Sequence, residues 1–361
     1  MKTDLEIYQL SSEILFAITG DLSKGIYKKL GGSLQISWNT ENRVSAWAIS
    51  DGDPLTPPQH KIVVCYELAR RLYRDVEDFH IFAIEALLRE PFESFFKDFS
   101  PKPRLPPTLE SHESVHNMFI GALTWVFFHE LAHLNQEHGH IRSKCGGQPN
   151  RAGGIEDCES DGDNALTGKA ALISHVTEFA ADVEAFQHSL QELARHFLSK
   201  DLDDGDPQQF RDNLFLLVCG ISCALYRFNG VKIVQPHRYP VGSHPTPLRR
   251  LEVGVPNIFE KLDLGGRGKS LHNLSRKELV YLCSGAAYSA GFFWLWRYAK
   301  GTGIPDNFLA KGLLQDDKLY WREILSAWDE IEPEIIKIRR FGNKQGLLYF
   351  TDDFRSKILS A

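Results

Sequence analysis

The sequence predicts an α+β fold that is predominantly helical, with a small β-sheet near the N-terminus. After residue 110, most long segments are apolar throughout or carry apolar residues at helical spacing. Alternating patterns occur earlier, in "SLQISW" (residues 33–38) and "RVSAWAI" (residues 43–49), and the intervening "NTEN" is typical of a turn. These two segments predict a β-hairpin. A hydrophobic content of 43% with 24% charged residues is ordinary for a soluble globular protein.

Three parts are predicted along the 361 residues, although all of them can belong to one domain. The first, residues 1–100, is an α/β part with the hairpin and one helix. A proline-rich interruption, "SPKPRLPPTLE" (residues 100–110), separates it from a helical core at residues 110–300. Residues 301–361 form a C-terminal helical extension.

Charge and composition favour a cytoplasmic protein without a nucleic-acid partner. A net charge of -6 supplies no basic field for nucleic acid. The first residues, "MKTDLEIYQL", do not resemble a secretory signal, and six cysteines without a CxxC pair indicate reduced thiols. One apolar run, residues 279–296, is 18 residues long and leaves a membrane association open, but a core helix is favoured.

The stretch "FFHELAHLNQEHGH" (residues 127–140) carries the pattern that predicts chemistry. It ends an apolar run from residue 115, which predicts one buried helix through about His138. His129 and His133 are four residues apart, so both imidazoles can bind one metal ion, and Glu130 is placed to act as the catalytic base. Buried without partners, these side chains would cost several kcal/mol, at about the level of unpaired polar groups. The stretch therefore predicts a catalytic Zn²⁺ site.

A catalytic zinc needs a third protein ligand. "TEFAADVEAF" (residues 177–186) offers Glu178 as that ligand and Asp182, one turn later, to accept the remaining N–H of a ligand histidine. His175, one turn before Glu178, stays an alternative ligand. His138 follows the second histidine at the wrong offset for a ligand and is expected to support one instead. Residues 139–168 are predicted as a glycine-rich, acidic loop.

HExxH combined with "ExxAD" resembles the gluzincin metallopeptidases, in particular the family of the CAAX prenyl endopeptidases and bacterial heat-shock peptidases, with the phage-exclusion peptidase Lit. The position of His138 and an "IVV…L" segment after residue 61 are similar to that family. A downstream "SHPTPLRRL" (residues 243–251) resembles its "THPxxxxRI" segment through His244, Pro245 and Arg250. The resemblance implies a zincin-type core.

The family's substrate-binding edge strand is similar to "SAWA". As an exposed edge strand, this segment would bind an extended peptide along these residues: Ser45, Ala46, Trp47 and Ala48. The alternative is an interior strand that other residues cover. The resemblance also suggests His244 as the group that stabilises the oxyanion, or else a histidine that merely belongs to a turn. Arg250 would position the substrate or pair with a core acid.

The function expected from these residues is hydrolysis of a protein or peptide substrate by a zinc endopeptidase, with a restricted target in defence or stress. Two alternatives remain open at the level of sequence. One is a catalytically silent, zinc-stabilised sensor or scaffold, and the other is a membrane-anchored peptidase. Glu130 favours catalysis, because a purely structural zinc site has no need of a base.

Overall fold

Helices form most of the structure. The computed structural model describes residues 2–146, 155–158, 166–199, 206–230, 238–264, 270–298, 315–341 and 346–360. The α-helices are, in chain order, α1 (Asp4–Leu22), α2 (Tyr66–Glu85), α3 (Phe92–Phe95), α4 (Ser111–Asn135), α5 (His138–Gly146), α6 (Gly168–Ser199), α7 (Pro207–Asn229), α8 (Pro247–Leu264), α9 (Arg276–Tyr298), α10 (Gln315–Ile338) and α11 (Asp352–Leu359). The predicted helix-rich α+β class is confirmed.

Helix starts follow local capping chemistry. At α1, the Thr3 hydroxyl accepts from the Glu6 amide (3.3 Å) and the Glu6 carboxylate accepts from the Thr3 amide (2.6 Å). At α7, the Asp206 carboxylate accepts from the Gln208 amide (2.8 Å), and Pro207 occupies the first helical position. Both arrangements satisfy amides that have no partner within the helix.

The strands β1 (Ser33–Asn39), β2 (Ser45–Asp51) and β3 (Gln59–Cys65) form one sheet with a later strand, β4 (Ile155–Cys158). Their order is β1-β3-β2-β4. β1 runs parallel to β3, and β2 is antiparallel to both β3 and β4. The sheet therefore joins the N-terminal strands to a segment nearly a hundred residues later.

The predicted β-hairpin is wrong. β1 and β2 do not pair, because β3 lies between them. β3 carries the continuous apolar run that includes Ile62 and Val64, both fully buried, whereas β1 is mostly half-buried. A strand that is apolar on both faces is most stable in the interior of a sheet, and this preference outweighs the turn chemistry of residues 39–42.

Two expectations about the sheet edge and residues 139–168 are also wrong. "SAWA" lies in β2 but is not an exposed edge strand, since β4 pairs with it from Ser45 to Ala48. The supposed loop contains the helix α5 and the strand β4; its residues 147–154 and 159–165 lie outside the described ranges. The main-chain groups of β2 are paired on both sides as a result, which removes the cost of an open edge.

α4 is the central helix of the fold. It packs against α6 and α7, and α2 and β2 cover it further. From Met118 to Asn135 nearly every residue is buried, which explains why its sequence is apolar on all faces. Gly220 of α7 lies against the backbone of α4, where a β-carbon would overlap the carbonyl oxygen of Met118 and lie 3.1 Å from the Ala122 amide nitrogen.

Gly220→Ala is expected to destabilise the protein by about 1–3 kcal/mol, because α4 and α7 must separate to accept the methyl group. Gly20→Ala is the matched control: it lies in α1 with nothing within 4 Å of the added carbon, and alanine there should stabilise by about 0.5–1 kcal/mol. Urea denaturation measures both. Equal effects of the two substitutions would contradict the close approach of α4 and α7.

α4 ends at Asn135, three residues before the predicted end. Glu137 has a left-handed backbone (φ 53°), which turns the chain into α5. The amides of Asn135 and Gln136 each donate at 2.7 Å to the buried carboxylate of Glu184 in α6. Arg340 donates its backbone amide to the Asn135 carbonyl (2.9 Å) and pairs with Glu137. Tertiary contacts therefore hold the turn that places His138 beside α4.

Two hydrophobic clusters form the interior. The larger includes residues from Ile7 to Trp294, so it crosses the proline-rich residues 100–110. The smaller lies between α5, α6 and the C-terminal helices α10 and α11. The division of the chain near residues 100 and 300 stays a prediction, and residues 301–314 lie outside the described ranges.

Among the described helices, α9 is the one that is long and apolar enough to cross a membrane. The mean hydropathy of its most apolar 18-residue window is 1.2, and 61% of that window is buried within the protein. Such burial is typical of a core helix.

Candidate metal centre

The last two turns of α4 carry the first half of the site. His129, Glu130 and His133 are each at most 1% exposed. Trp125, one turn before His129, stacks on its imidazole with ring centroids 5.2 Å apart and an interplanar angle of 28°. The apolar surroundings and this stacking restrict the His129 ring to one orientation.

α6 supplies the second half of the site. Glu178 is fully buried, and its carboxylate oxygens lie 3.2 Å from His129 Nε2 and 3.3 Å from His133 Nε2. The two Nε2 atoms are 3.0 Å apart. One potential ligand atom from each of the three residues lies within 4.8 Å of the others. The structure thus brings together the three residues that the sequence predicts as metal ligands.

Each ligand histidine has an outer partner at its Nδ1 atom. Asp182 Oδ1 lies 3.0 Å from His129 Nδ1, and His138 Nδ1 lies 2.9 Å from His133 Nδ1. A histidine that donates its Nδ1 proton outward directs the lone pair of Nε2 inward. Asp182 and His138 therefore occupy the positions that the sequence assigns to supporting residues.

The donor set fits a divalent cation. Two imidazole nitrogens and a carboxylate oxygen face one another in a buried space, and with outward Nδ1 protons all three are acceptors. Hydrogen bonds among three acceptors cannot hold them face to face. The guanidinium groups of Arg142 and Arg250 reach the cluster from outside, and a shared cation would bind the acceptor atoms that face one another. Two histidines and a glutamate are a ligand set that Zn²⁺ uses.

Burial and charge favour the protonation state that metal ligands need. Burial lowers the pKa of His133 to about 4, and it also holds the pKa of His138 well below its usual value. Burial alone would raise the pKa of Glu178. Attraction to the neighbouring imidazoles, that of His244 first, instead holds the pKa of its carboxyl group well below the usual value. His133 therefore offers a neutral imidazole and Glu178 an ionised carboxylate at neutral pH, which are the forms that bind metal.

Arg142 of α5 is a site residue that the sequence analysis missed. Its guanidinium contacts Glu178 Oε1 and donates at 2.8 Å to the Thr177 hydroxyl. The residue is 7% exposed, so its charge is balanced mainly by this carboxylate. Arg142 lies four residues after His138, so a predicted helix in this segment would have placed both side chains on the same face.

Arg250 lies under the site and not in a position to bind substrate. It donates two hydrogen bonds of 2.7 Å to the Asp182 carboxylate and is 2% exposed. Its Nη2 atom is 3.4 Å from His129 Nε2 and 3.5 Å from Glu178 Oε2. The expected substrate-positioning role is therefore corrected: Arg250 pairs with a core acid, and this pair orients the partner of His129.

His175, the alternative ligand, is engaged outside the cluster. Its Nδ1 atom lies 2.8 Å from the Tyr320 hydroxyl, and its Nε2 atom lies 3.2 Å from the Val241 carbonyl oxygen. Both ring nitrogens face away from the ligand atoms of His129 and His133. The arrangement favours Glu178 as the third ligand.

His244 lies at the more open side of the cluster. Its side chain is 18% exposed, and its Nε2 atom is 3.7 Å from Glu178 Oε1. Its Nδ1 atom lies 2.7 Å from the Ser243 hydroxyl, and the Ser243 carbonyl accepts from Ser174 of α6 (2.8 Å). The loop before α8 is thereby fastened to the ligand helix, with His244 beside the metal ligands.

The four residues expected to bind substrate lie in β2, which packs on α4. Ser45, Ala46 and Ala48 are buried and Trp47 is half-buried, with the Arg43 guanidinium 5.0 Å from its ring centroid. Because β4 covers this strand, its main chain is not open to a peptide in this structure.

His138→Ala is expected to lower zinc affinity by about 10- to 100-fold, the usual effect of removing an outer partner of a metal ligand. His175→Ala is the matched control, since that histidine is equally buried but bonds away from the cluster. Competition titration with a chromogenic chelator measures both affinities. Equal losses in the two variants would show that His138 does not act on the metal through His133.

Comparison with protein-family models, with curated proteins and with solved structures finds no match for this chain. The chemical interpretation of the site therefore rests on its own residues and their geometry.

Proposed function

We propose that the chain is a zinc-dependent endopeptidase with a zincin-type core of the gluzincin kind. The observation that carries the proposal is the convergence of His129, His133 and Glu178, with Glu130 buried next to the first ligand on the same helix. The ligand set leaves a coordination position for water or substrate, which is the property that separates catalytic from structural zinc sites.

Glu130 acts as the general base and acid of the proposed hydrolysis. Bound Zn²⁺ supplies Lewis-acid activation of water and polarises the scissile carbonyl group. The Glu130 carboxylate accepts a proton from water as the carbon–oxygen bond forms. It then delivers that proton to the amide nitrogen as the carbon–nitrogen bond breaks, which regenerates the carboxylate. Glu130 is fully buried in α4 directly after the ligand His129, and this position beside the metal ligands supports the role.

His244 stabilises the negative charge that develops on the carbonyl oxygen. The Ser243 hydroxyl lies 2.7 Å from Nδ1 of His244, and Nε2 is the ring nitrogen nearer to Glu178. The proposed tautomer has the hydroxyl donating to Nδ1 and the ring proton on Nε2. An N–H donor beside the metal ligands can therefore point at the oxyanion. The partial exposure of His244 supports a position at the entrance, where a substrate carbonyl arrives.

The proposed substrate is a protein or peptide, with a restricted target in a stress or defence response in the cytoplasm. The net charge of -6 offers no basic surface for nucleic acid. The burial of α9 supports a core helix over a membrane anchor. A silent sensor or scaffold would use the same ligands, but it would have no use for Glu130 beside them.

Metal analysis together with a cleavage assay tests the proposal. The purified chain should contain one equivalent of zinc and should hydrolyse an unfolded protein, and a chelator should abolish hydrolysis. The same analysis separates zinc from iron, which also uses two histidines and a carboxylate. Absence of zinc, or hydrolysis that survives chelation, would overturn the proposal.

A further inference from the structure

We propose that β4 is an internal occupant of the strand edge on which the substrate binds, so that the protein is latent until this segment leaves. The inference rests on the proposed peptidase function and adds its regulation. It assigns β2 as the peptide-binding strand and Ile155–Cys158 as the segment that a substrate displaces.

The pairing of β4 with β2 is the one an extended peptide would use. The two strands are antiparallel over four residue pairs, from Ser45 opposite Cys158 to Ala48 opposite Ile155. β2 bonds to β3 along its other side, so its outward main-chain groups face β4 alone. Strand addition to a sheet edge uses these same groups. β4 and a substrate strand therefore exclude each other.

The occupied edge lies on the helix that carries two of the proposed metal ligands. β2 packs on α4, and Ala46 and Ala48 share the hydrophobic cluster of that helix. Beyond the end of β2, the Arg340 guanidinium donates to the carbonyls of Asp53 and Thr56 and pairs with Glu137, which follows α4. The strand and the metal-binding helix are thus fixed to each other at their C-terminal ends.

Both sides of the β4 connection are fastened to the site as well. Before β4, Arg142 of α5 contacts the ligand Glu178. After it, the Leu166 carbonyl accepts from the Gly242 amide (2.8 Å), two residues before His244. The chain from Arg142 to Leu166 therefore connects to the site at both ends, and its strand β4 pairs with the edge of β2.

The energetics favour a displaceable strand. β4 has four residues and pairs along one side, and two of those residues, Glu156 and Asp157, have low strand propensity. Because β4 belongs to the same chain as β2, it competes at an effective concentration on the order of 1 mM. Weak pairing with a high local concentration blocks chance peptides and yields to a substrate or partner that pairs more strongly.

The test measures peptide binding and does not depend on cleavage. The probe is a fluorescein-labelled peptide with the sequence of residues 151–162, with serine for Cys158, and its anisotropy is followed with zinc-loaded protein carrying Glu130→Gln. Replacement of Ile155–Cys158 by Gly-Ser-Gly-Ser should raise its affinity at least about tenfold, since the internal competitor is lost. The matched control places the same four residues at 159–162, where they also replace two acidic residues. This variant should bind the peptide with unchanged affinity.

A cysteine lock tests the register in a chain that keeps β4. The lock is made in a Cys65→Ala chain, because the β2–β3 register brings the free Cys65 beside Ser45 on the other side. Ser45→Cys then places a thiol opposite Cys158, at a Cα separation of about 4.5–5.5 Å that a disulfide can span. Oxidation with diamide should join the two and lower the affinity for the peptide, and dithiothreitol should restore it. Ser50→Cys, on the same strand beyond β4, should not join Cys158.

The outcomes separate this inference from the proposed function. Equal peptide affinity with and without the β4 sequence, or no Ser45→Cys disulfide to Cys158, would overturn the inference. With Glu130 intact, equal cleavage of an unfolded protein by the parent and the β4-replaced chain would overturn it too, while leaving the peptidase in place. A chain that binds the peptide as expected but cleaves nothing would instead overturn the peptidase and keep β4 as the occupant of a peptide-binding edge.

Discussion

Glu130→Gln is expected to reduce peptide hydrolysis by about 10²- to 10⁴-fold while zinc stays bound, because general acid–base catalysis supplies that much of a typical rate. The amide has nearly the shape of the carboxylate, so the buried surroundings of Glu130 need not rearrange. An amide cannot accept the proton of the attacking water, and its nitrogen has no proton to return to the leaving amine at a useful pKa. The ratio kcat/KM on an unfolded protein and elemental analysis of the same sample measure the two effects.

Glu113→Gln is the matched control for this prediction. It makes the same substitution in the first turn of the same helix, at an exposed residue whose side chain caps the Glu110 amide (2.9 Å). Glutamine also serves in that capping position, so stability and activity should both be retained. If Glu130→Gln kept full activity, Glu130 would not be the base. If it lost zinc, its role would be to hold the cluster together.

Much of the metal centre could be predicted from the sequence because each half is local. A spacing of four residues places His129 above His133, and likewise Glu178 above Asp182, on any α-helix. Contact between the two helices belongs to the tertiary structure, and local spacing does not predict it. It is expected because polar side chains in apolar helices must find polar partners or a metal when they are buried. The structure brings the two pairs together through the packing of α4 against α6.

The arrangement of the sheet could not be predicted in the same way. Strand order depends on which strand is most buried, and β3 enters between two strands that are neighbours in sequence. The pairing of β4 with β2 joins residues more than a hundred positions apart, and nothing in "GGIEDCES" is typical of a strand. The sequence gives no signal for Arg142 for a related reason, since the glycine-rich composition of residues 139–168 predicts a loop. Arg250 was identified, but its partner Asp182 determined its role.

Glu178→Gln is expected to lower zinc affinity by more than the factor of about 10–100 that removal of an outer partner costs, because it removes the anionic ligand itself. The variant keeps an oxygen that can accept from Arg142, so the buried arginine retains a partner. Under the proposed function, zinc would join α4 to α6 in the folded state only, and it would add about 4 kcal/mol of stability when free metal is 1,000 times its dissociation constant. A chelator should therefore lower the melting temperature of the parent protein by much more than that of Glu178→Gln.

Glu184→Gln distinguishes loss of the ligand from general damage to α6. Glu184 lies on the same helix, is 2% exposed and holds the amides of Asn135 and Gln136 at the end of α4. Loss of its charge removes two charge-assisted hydrogen bonds and should lower the free energy of unfolding by a few kcal/mol, at about the level of such bonds. Its zinc should nonetheless stay at one equivalent, and its melting temperature should still fall on chelation. Wild-type zinc affinity in Glu178→Gln, or equal zinc loss in both variants, would contradict Glu178 as the third ligand, since only that residue places its carboxylate between the two imidazoles.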